Sequence, residues 1–412
     1  MASDQKRSKW NPLNLLQPAG ITAAGLFLVG TGENASAAAP IPLRQPPAKV
    51  SKDDLQQVAA LIQEIQIHLK YMGEVTRKAD KKEIDGHIKD LGSEVYRERE
   101  KATQALKEIG YQAGPELKAA SKSPDLEVAR RANDVLESLR HIDDLRAKKL
   151  QTPVAKLASF KAAAKGAVPI LIEVLSQPNA EIRDTATETL GEIGPGAAPA
   201  VPLMLNQLKS TDPEVWRNTA IALGKVGPAA KDAAPLLLKT LRNPAPDFDF
   251  EPMIMEVLGN MRAEEAIDDI IRVMDNCGST HTKVTGAIAL TNIGKQPKKV
   301  IPALDRCYHD SSSNARDAGF AALLQFKSEP ALLVPILVKT IEGRNLKTEI
   351  IASIKTLAEM GEAAKAALPA LKNLRDSKST EDEVTRWGQA TADEIRRQAG
   401  AAVEAIEKTR GR

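Results

Sequence analysis

RDTATETLGEIG at residues 183–194 and RNTAIALGKVG at residues 217–227 decide the fold. Both place apolar side chains three and four apart, as one face of a helix requires, and both stop on a glycine, which favours a left-handed helix end. The same shape returns as MIMEVLGNM, GAIALTNIG, DAGFAALLQF and IIASIKTLAEMG. Equivalent leucines stand at Leu190, Leu223, Leu258, Leu290, Leu323 and Leu357, at spacings of 33, 35, 32, 33 and 34. A fixed period of this length marks a repeat architecture, in which every unit is one supersecondary element.

A second series runs through the partner helix. Pro169, Pro202, Pro235, Pro302, Pro335 and Pro369 are 33 or 34 apart, with one double step of 67 in which Asp268 takes the missing place. Proline suits the first helical turn, where its absent N–H would be unpaired anyway. Each unit therefore reads as helix A, glycine turn, proline, helix B. One hairpin cannot bury its apolar face alone, so the units must stack over a continuous core. The fold class expected is all-α, an alpha-alpha superhelix of the armadillo/HEAT-like solenoid kind.

The pattern resembles HEAT repeats. Its short ALG-x-(I/V)-G form is similar to the HEAT-like units of phycobilin-lyase relatives. The resemblance covers residues 158–395. A related unit, YREREKATQALKEIG at residues 96–110 followed by Pro115 and DLEVARRANDVLESL, is similar to the N-terminal module of exported bacterial HEAT-repeat proteins. Its helix B starts nine residues after Leu106, against twelve after Leu190, so it reads as an atypical capping unit. The organisation expected is a signal peptide at 1–37, a Pro-rich linker at 38–50 and an N-terminal helical segment at 51–87. The atypical module follows at 88–140, then a poorly matching helical connector at 141–157, the solenoid at 158–395 and a C-terminal helix end and tail at 396–412.

The export signal rests on Lys6, Arg7 and Lys9, the uncharged apolar stretch 19–30 and the small residues Ala35-Ser36-Ala37. It implies a periplasmic or secreted protein, with no stable membrane insertion once the segment is removed. Charge excludes less than location does. The formal net charge is +3, and loss of residues 1–37 removes three bases and two acids, so the balance barely moves. Neither a nucleic-acid binder nor a polybasic membrane protein is expected from that balance.

No catalytic constellation is expected, nor any cofactor. The five histidines, His68, His87, His141, His281 and His309, never fall within four residues of one another, as helix-borne metal ligands would. None precedes a glutamate, so the paired motifs of the HEAT-fold di-iron hydroxylases are missing. No phosphate loop or nucleophile elbow occurs. With no Cys-x-x-Cys, metal ligation by the cysteines has no support either. Cys277 and Cys307 are compatible with one disulfide or with two buried thiols.

Two features point to partner binding. In NPAPDFDFEP, residues 243–252, Asp247 and Asp249 alternate with Phe248 and Phe250, and form a candidate partner-contact loop in the one lengthened repeat. The other lies on helix B, which the resemblance implies lines the concave face of the stack. Positions two and six past each proline are mostly apolar and should face the core. Position four should face solvent, and there the chain carries Glu173, Asn206, Lys239, Arg272, Arg306, Lys339 and Asn373. With neighbouring helices about 10 Å apart, Lys239, Arg272, Arg306 and Lys339 would form a cationic ladder roughly 30 Å long, diluted by Asp269, Asp305 and Glu342. The expected function is a non-catalytic scaffold, a monomer, that takes a protein or acidic peptide partner. There are two alternatives: the resemblance implies a lyase or chaperone for a tetrapyrrole-type ligand, and the cationic ladder would suit a nucleic-acid-binding solenoid. Export weighs against both, and the aliphatic or cationic inner positions weigh against the first.

Overall fold

A computed structural model describes residues 50–73, 79–177, 179–243, 250–343, 345–377 and 388–408, and every regular element among them is a helix. The signal segment and all but the last residue of the linker lie outside the described residues. So do Asp247, Phe248 and Asp249 of the candidate loop. The helices pack as two compact units, Pro47–Ile270 and Ile271–Arg412.

The first unit opens with α1 (Lys52–Gly73), whose Val58 and Ile65 are buried. Next come α2 (Lys81–Asp90), α3 (Tyr96–Ile109), α4 (Gly114–Ala120) and α5 (Leu126–Ser159). These close a core of their own around Ile84, Leu91, Leu106, Ile109, Leu117 and Val135. The atypical module is thus completed by α2, whose N-cap Asp80 accepts the Glu83 amide at 2.8 Å. An ionic network ties α3 to α5. The nearly buried Arg131 guanidinium donates to Glu127 at 2.6 Å, Glu100 at 2.8 Å and Thr103 at 3.2 Å. Hydrogen bonds from Arg130 and Arg131 hold the Glu127 carboxyl down to about 2. A depressed carboxylate stabilises the fold fully above its unperturbed value of 4.5 and loses that contribution as pH falls through about 2. Glu127→Gln is expected to flatten the fall of Tm across that window, in thermal melts followed by circular dichroism.

Residues 141–157, read as a poorly matching connector, are the second half of α5, a single helix of 34 residues. No turn signal interrupts 126–159, so helix B of the N-terminal module runs straight into helix A of the next unit. Its Leu157 is fully buried and stands 33 residues before Leu190. The leucine series therefore begins one repeat earlier than the glycine-ended motif indicates. Pro153 sits inside this helix and takes one amide out of its ladder.

From there the pairs alternate. α6 (Val168–Leu175) is the helix B that follows α5. The first unit continues with α7 (Ala180–Ile193) and α8 (Val201–Gln207), α9 (Pro213–Val226) and α10 (Ala234–Arg242), and then α11 (Glu251–Met261). Helix α12 (Ile267–Asn276) leads into the second unit. That unit holds α13 (Thr280–Ile293) and α14 (Pro297–Tyr308), α15 (Ser313–Leu323) and α16 (Pro330–Glu342), and α17 (Lys347–Met360) and α18 (Leu368–Asp376). It ends with α19 (Gln389–Lys408), which lays Ile395, Ala399, Val403 and Ile406 against α17 and α18.

Each helix A begins and ends for legible reasons. Asn179, Asp212 and Ser279 cap α7, α9 and α13, accepting the amides of Ile182, Glu214 and Thr282 at 3.1, 2.9 and 3.3 Å. An arginine at the fourth helical position reaches back to the preceding loop. Arg99 donates to the Ser93 carbonyl at 2.6 Å, Arg183 to Gln177 at 2.9 Å and Arg316 to Ser311 at 3.0 Å. At the far end Gly194 and Gly227 take φ of 72° and 81°. The glycine turn itself is a seven-residue 3₁₀ segment at Gly194–Ala200, Gly227–Ala233 and Gly361–Ala367. A 3₁₀ helix repeats every three residues, so alanines three apart fall on one side. Ala197 and Ala200, Ala230 and Ala233, and Ala364 and Ala367 are all fully buried.

Two prolines depart from the expected first-turn place. Pro302 and Pro335 lie inside α14 and α16, because Pro297 and Pro330 already occupy the first turns. Both interior prolines are solvent-exposed, where water can satisfy the carbonyl that loses its amide partner.

Candidate binding surface

The B helices bury the positions expected to face the core. Two past the proline series, Leu171, Met204, Leu237, Ile270, Leu304 and Leu337 are fully buried; six past it, Leu175, Leu208, Leu241 and Met274 are nearly so. The proline positions Pro169, Pro202, Pro235, Pro302, Pro335 and Pro369 are all exposed, and so is every position four residues on, from Glu173 to Asn373. Positions i and i+4 lie one above the other on a helix. Each B helix thus presents an open strip with a rigid proline at its start and a side chain of variable charge one turn later.

The four cations of that strip are unequal. Lys239 lies on α10 in the first unit; Arg272, Arg306 and Lys339 lie on α12, α14 and α16 in the second. No ion pair among the described residues is formed by Lys239 or Lys339, whereas Arg306 donates two hydrogen bonds to Asp275, at 2.7 and 3.1 Å. That bonding raises the guanidinium pKa and cancels the Arg306 charge locally. Asp269, expected to dilute the ladder, is almost buried and receives Arg242 at 2.7 and 3.0 Å. The sequence reading missed both partners. Arg242 and Asp269 are 27 residues apart, Asp275 and Arg306 are 31 apart, and no local motif marks either pair.

Of the candidate loop, Phe250 alone is described. Its ring stacks on Trp216, with centroids 5.4 Å apart and planes inclined by 29°. The aromatic edge is therefore partly occupied by a contact within the chain, and Trp216 belongs to it.

Cys277 and Cys307 both carry thiols, with no disulfide. The Cys307 thiol is buried and donates to the Ala315 carbonyl at 3.2 Å; burial pushes its pKa up to about 11. Cys277 is half-buried just past α12 and lies within electrostatic reach of Cys307. Between α12, α13 and α14 is a cavity of about 210 Å³ lined by Met274, Asp275, Lys283, Arg306, Cys307 and Asp310. Lys283 closes one side through a 2.5 Å pair with Asp310. This bond raises the lysine pKa and lowers that of the aspartate. Among the described residues no helix is long and apolar enough to cross a membrane.

Comparison with known proteins bears on the repeat. The family model of HEAT repeats matches residues 168–251, the stretch from α6 to the start of α11. No curated protein matches the sequence significantly. Among solved structures, an engineered protein is similar over 86% of this chain and 96% of its own, at 19% identity and a TM-score of 0.42. The complex of CpcE and CpcF of phycocyanin lyase from Nostoc sp. PCC7120 is similar over 65% of this chain and 94% of that one, at 18% identity and a TM-score of 0.32. Kap121p is similar over 88% of this chain and 47% of its own, at 16% identity and a TM-score of 0.38. The matched residues 168–251 are thus HEAT repeats inside the first unit, and the same A–B helix pair recurs to α18.

Proposed function

We propose that this chain is a non-catalytic scaffold that binds a protein or peptide partner along the exposed strips of its B helices, and that it acts in the periplasm or cell envelope as a monomer. The observation that carries the reading is the strip itself. Position four past the proline position is exposed on every B helix from α6 to α18, while its neighbours two residues either side are turned into the core, apart from the exposed Arg375 of α18. A surface of constant backbone and changing side chains can read an extended chain residue by residue. Export is supported by the basic, apolar and small-residue order of residues 6–37.

Lys239 makes the strip of the first unit selective for acidic segments and Lys339 that of the second, while Arg306 is held by Asp275 and contributes shape more than charge. A fluorescein-labelled polyglutamate peptide titrated against the full chain, with fluorescence anisotropy as readout, tests this. Affinity is expected to fall as salt rises, and Lys239→Glu with Lys339→Glu is expected to weaken binding at least about tenfold at low salt. Binding indifferent both to salt and to these substitutions would contradict the reading. Arg306 is left intact, because reversing it would set two acids against each other beside Asp275.

A further inference from the structure

The strip of the first unit has more relief than its charges alone show. With the proline of each B helix as position zero, positions one and three lie about 80° to either side of the exposed line through zero and four. The Arg242–Asp269 pair fixes which sides meet. Arg242 stands at position seven of α10, on the same side as three, and Asp269 stands at position one of α12, counted from Asp268, 2.7 Å away. Side three of one B helix therefore faces side one of the next. Ile172 of α6 looks toward Leu203 of α8, and Leu205 of α8 toward Leu236 of α10. All four are only half-buried, whereas the outermost members of the same rows, Ile170 and Leu238, are buried. The short B helices of this unit meet chiefly through the 3₁₀ turns at Lys161–Ala167, Gly194–Ala200 and Gly227–Ala233. Two shallow aliphatic furrows thus stay open between α6, α8 and α10. Charge frames them. Glu173 and Lys239 form no ion pair among the described residues, and between them Asn206 accepts a hydrogen bond from Lys209 at 3.3 Å.

We infer that these furrows take a partner segment in polyproline II conformation, with an apolar residue at every third position between a basic and an acidic end. This deepens the partner-binding reading and rests on it. Adjacent B helices lie about 10 Å apart, and so do the two furrows. A polyproline II chain has three residues per turn and rises about 3.1 Å per residue, so every third side chain points the same way at about 9 Å. A β-strand repeats its facing side chains at about 7 Å and falls out of step. An α-helix returns at about 10 Å only every seventh residue, and its backbone keeps its own hydrogen bonds. Polyproline II leaves its carbonyls free, where the Asn206 amide and the Lys209 ammonium can donate to the middle of the segment. From Glu173 to Lys239 is about 20 Å, or about seven residues of such a chain. A basic residue two before the first apolar one then reaches Glu173, and an acidic residue two after the second reaches Lys239.

The test uses the fluorescein-labelled peptide Arg-Pro-Leu-Pro-Pro-Leu-Pro-Glu, titrated against the full chain with anisotropy as readout. One further proline between the leucines puts them out of step and is expected to weaken binding at least about tenfold, because one leucine loses its furrow. Replacing both leucines of the peptide by serine is expected to abolish it. Glu173→Lys is expected to weaken the peptide about threefold, as an exposed charge pair does, and to strengthen a version with glutamate at both ends. Leu205→Ser should weaken both versions; circular dichroism checks its fold, and the peptide changes decide the matter if that fold is lost. Equal binding of the peptide with the extra proline overturns the inference, and so does tighter binding of a helical peptide with leucines seven apart. If polyglutamate then still binds in a salt-dependent way, only the polyproline II segment is refuted and the acidic selectivity stands. If polyglutamate also fails, the partner-binding reading falls with it.

Discussion

Gly319→Ala is expected to destabilise the second unit by about 2 kcal/mol, although alanine is the better helix former by nearly 1 kcal/mol. The sign reverses because of what stands next to Gly319. A Cβ there would meet the Tyr308 amide nitrogen at 2.5 Å, with the Cys307 carbonyl carbon and the Leu304 carbonyl oxygen both at 2.9 Å. All three atoms are backbone of α14, so no side chain can rotate away, and α14 and α15 must separate. Gly86, inside α2, supplies the control. A Cβ there meets nothing within 4 Å, so Gly86→Ala is expected to stabilise its module by up to about 1 kcal/mol. Urea titrations of the two variants should move the midpoint in opposite directions. Equal shifts would show that Gly319 does not mark a close helix–helix approach.

Leu223→Ala should cost more, about 3 kcal/mol, because Leu223 is fully buried in α9 and its removal leaves a cavity that rigid neighbours fill only in part. In a stack where each repeat touches only its neighbours, the damage is local. Amide exchange should accelerate in α7, α9 and α11, which pack against one another in sequence, and hardly at all in α2 or α3. Loss of protection spread evenly through α2–α11 would contradict a nearest-neighbour architecture and point to one cooperative core.

The parts of this molecule that repeat were legible in sequence, and those that do not repeat were hidden. Six leucines and six prolines announced the A–B pair, and the same periodicity placed Leu237 and Leu304 inside and Lys239 and Lys339 outside. Residues 141–157 defeated it, since the turn that should separate two helices is missing and α5 runs through. The interior prolines of α14 and α16 escaped notice because a second proline five residues earlier starts each helix. Electrostatics was the least legible layer. Charge at position four could be counted, but whether it is available depends on partners about one repeat away, as Asp275 is for Arg306.

That difference bears on how the surface would work. If every cation of the strip were equivalent, binding would follow total charge. With Arg306 tied down, recognition rests on Lys239 in the first unit and Lys339 in the second, and which strip an acidic segment meets matters more than its overall acidity. Hydrogen–deuterium exchange on the full chain, with and without saturating polyglutamate peptide, tests the central claim most directly. Partner binding on the B helices predicts added protection in α10 and α16, around Lys239 and Lys339, with the helix A segments α9 and α17 unchanged. Protection confined to helix A segments, or none anywhere under saturation, would contradict it.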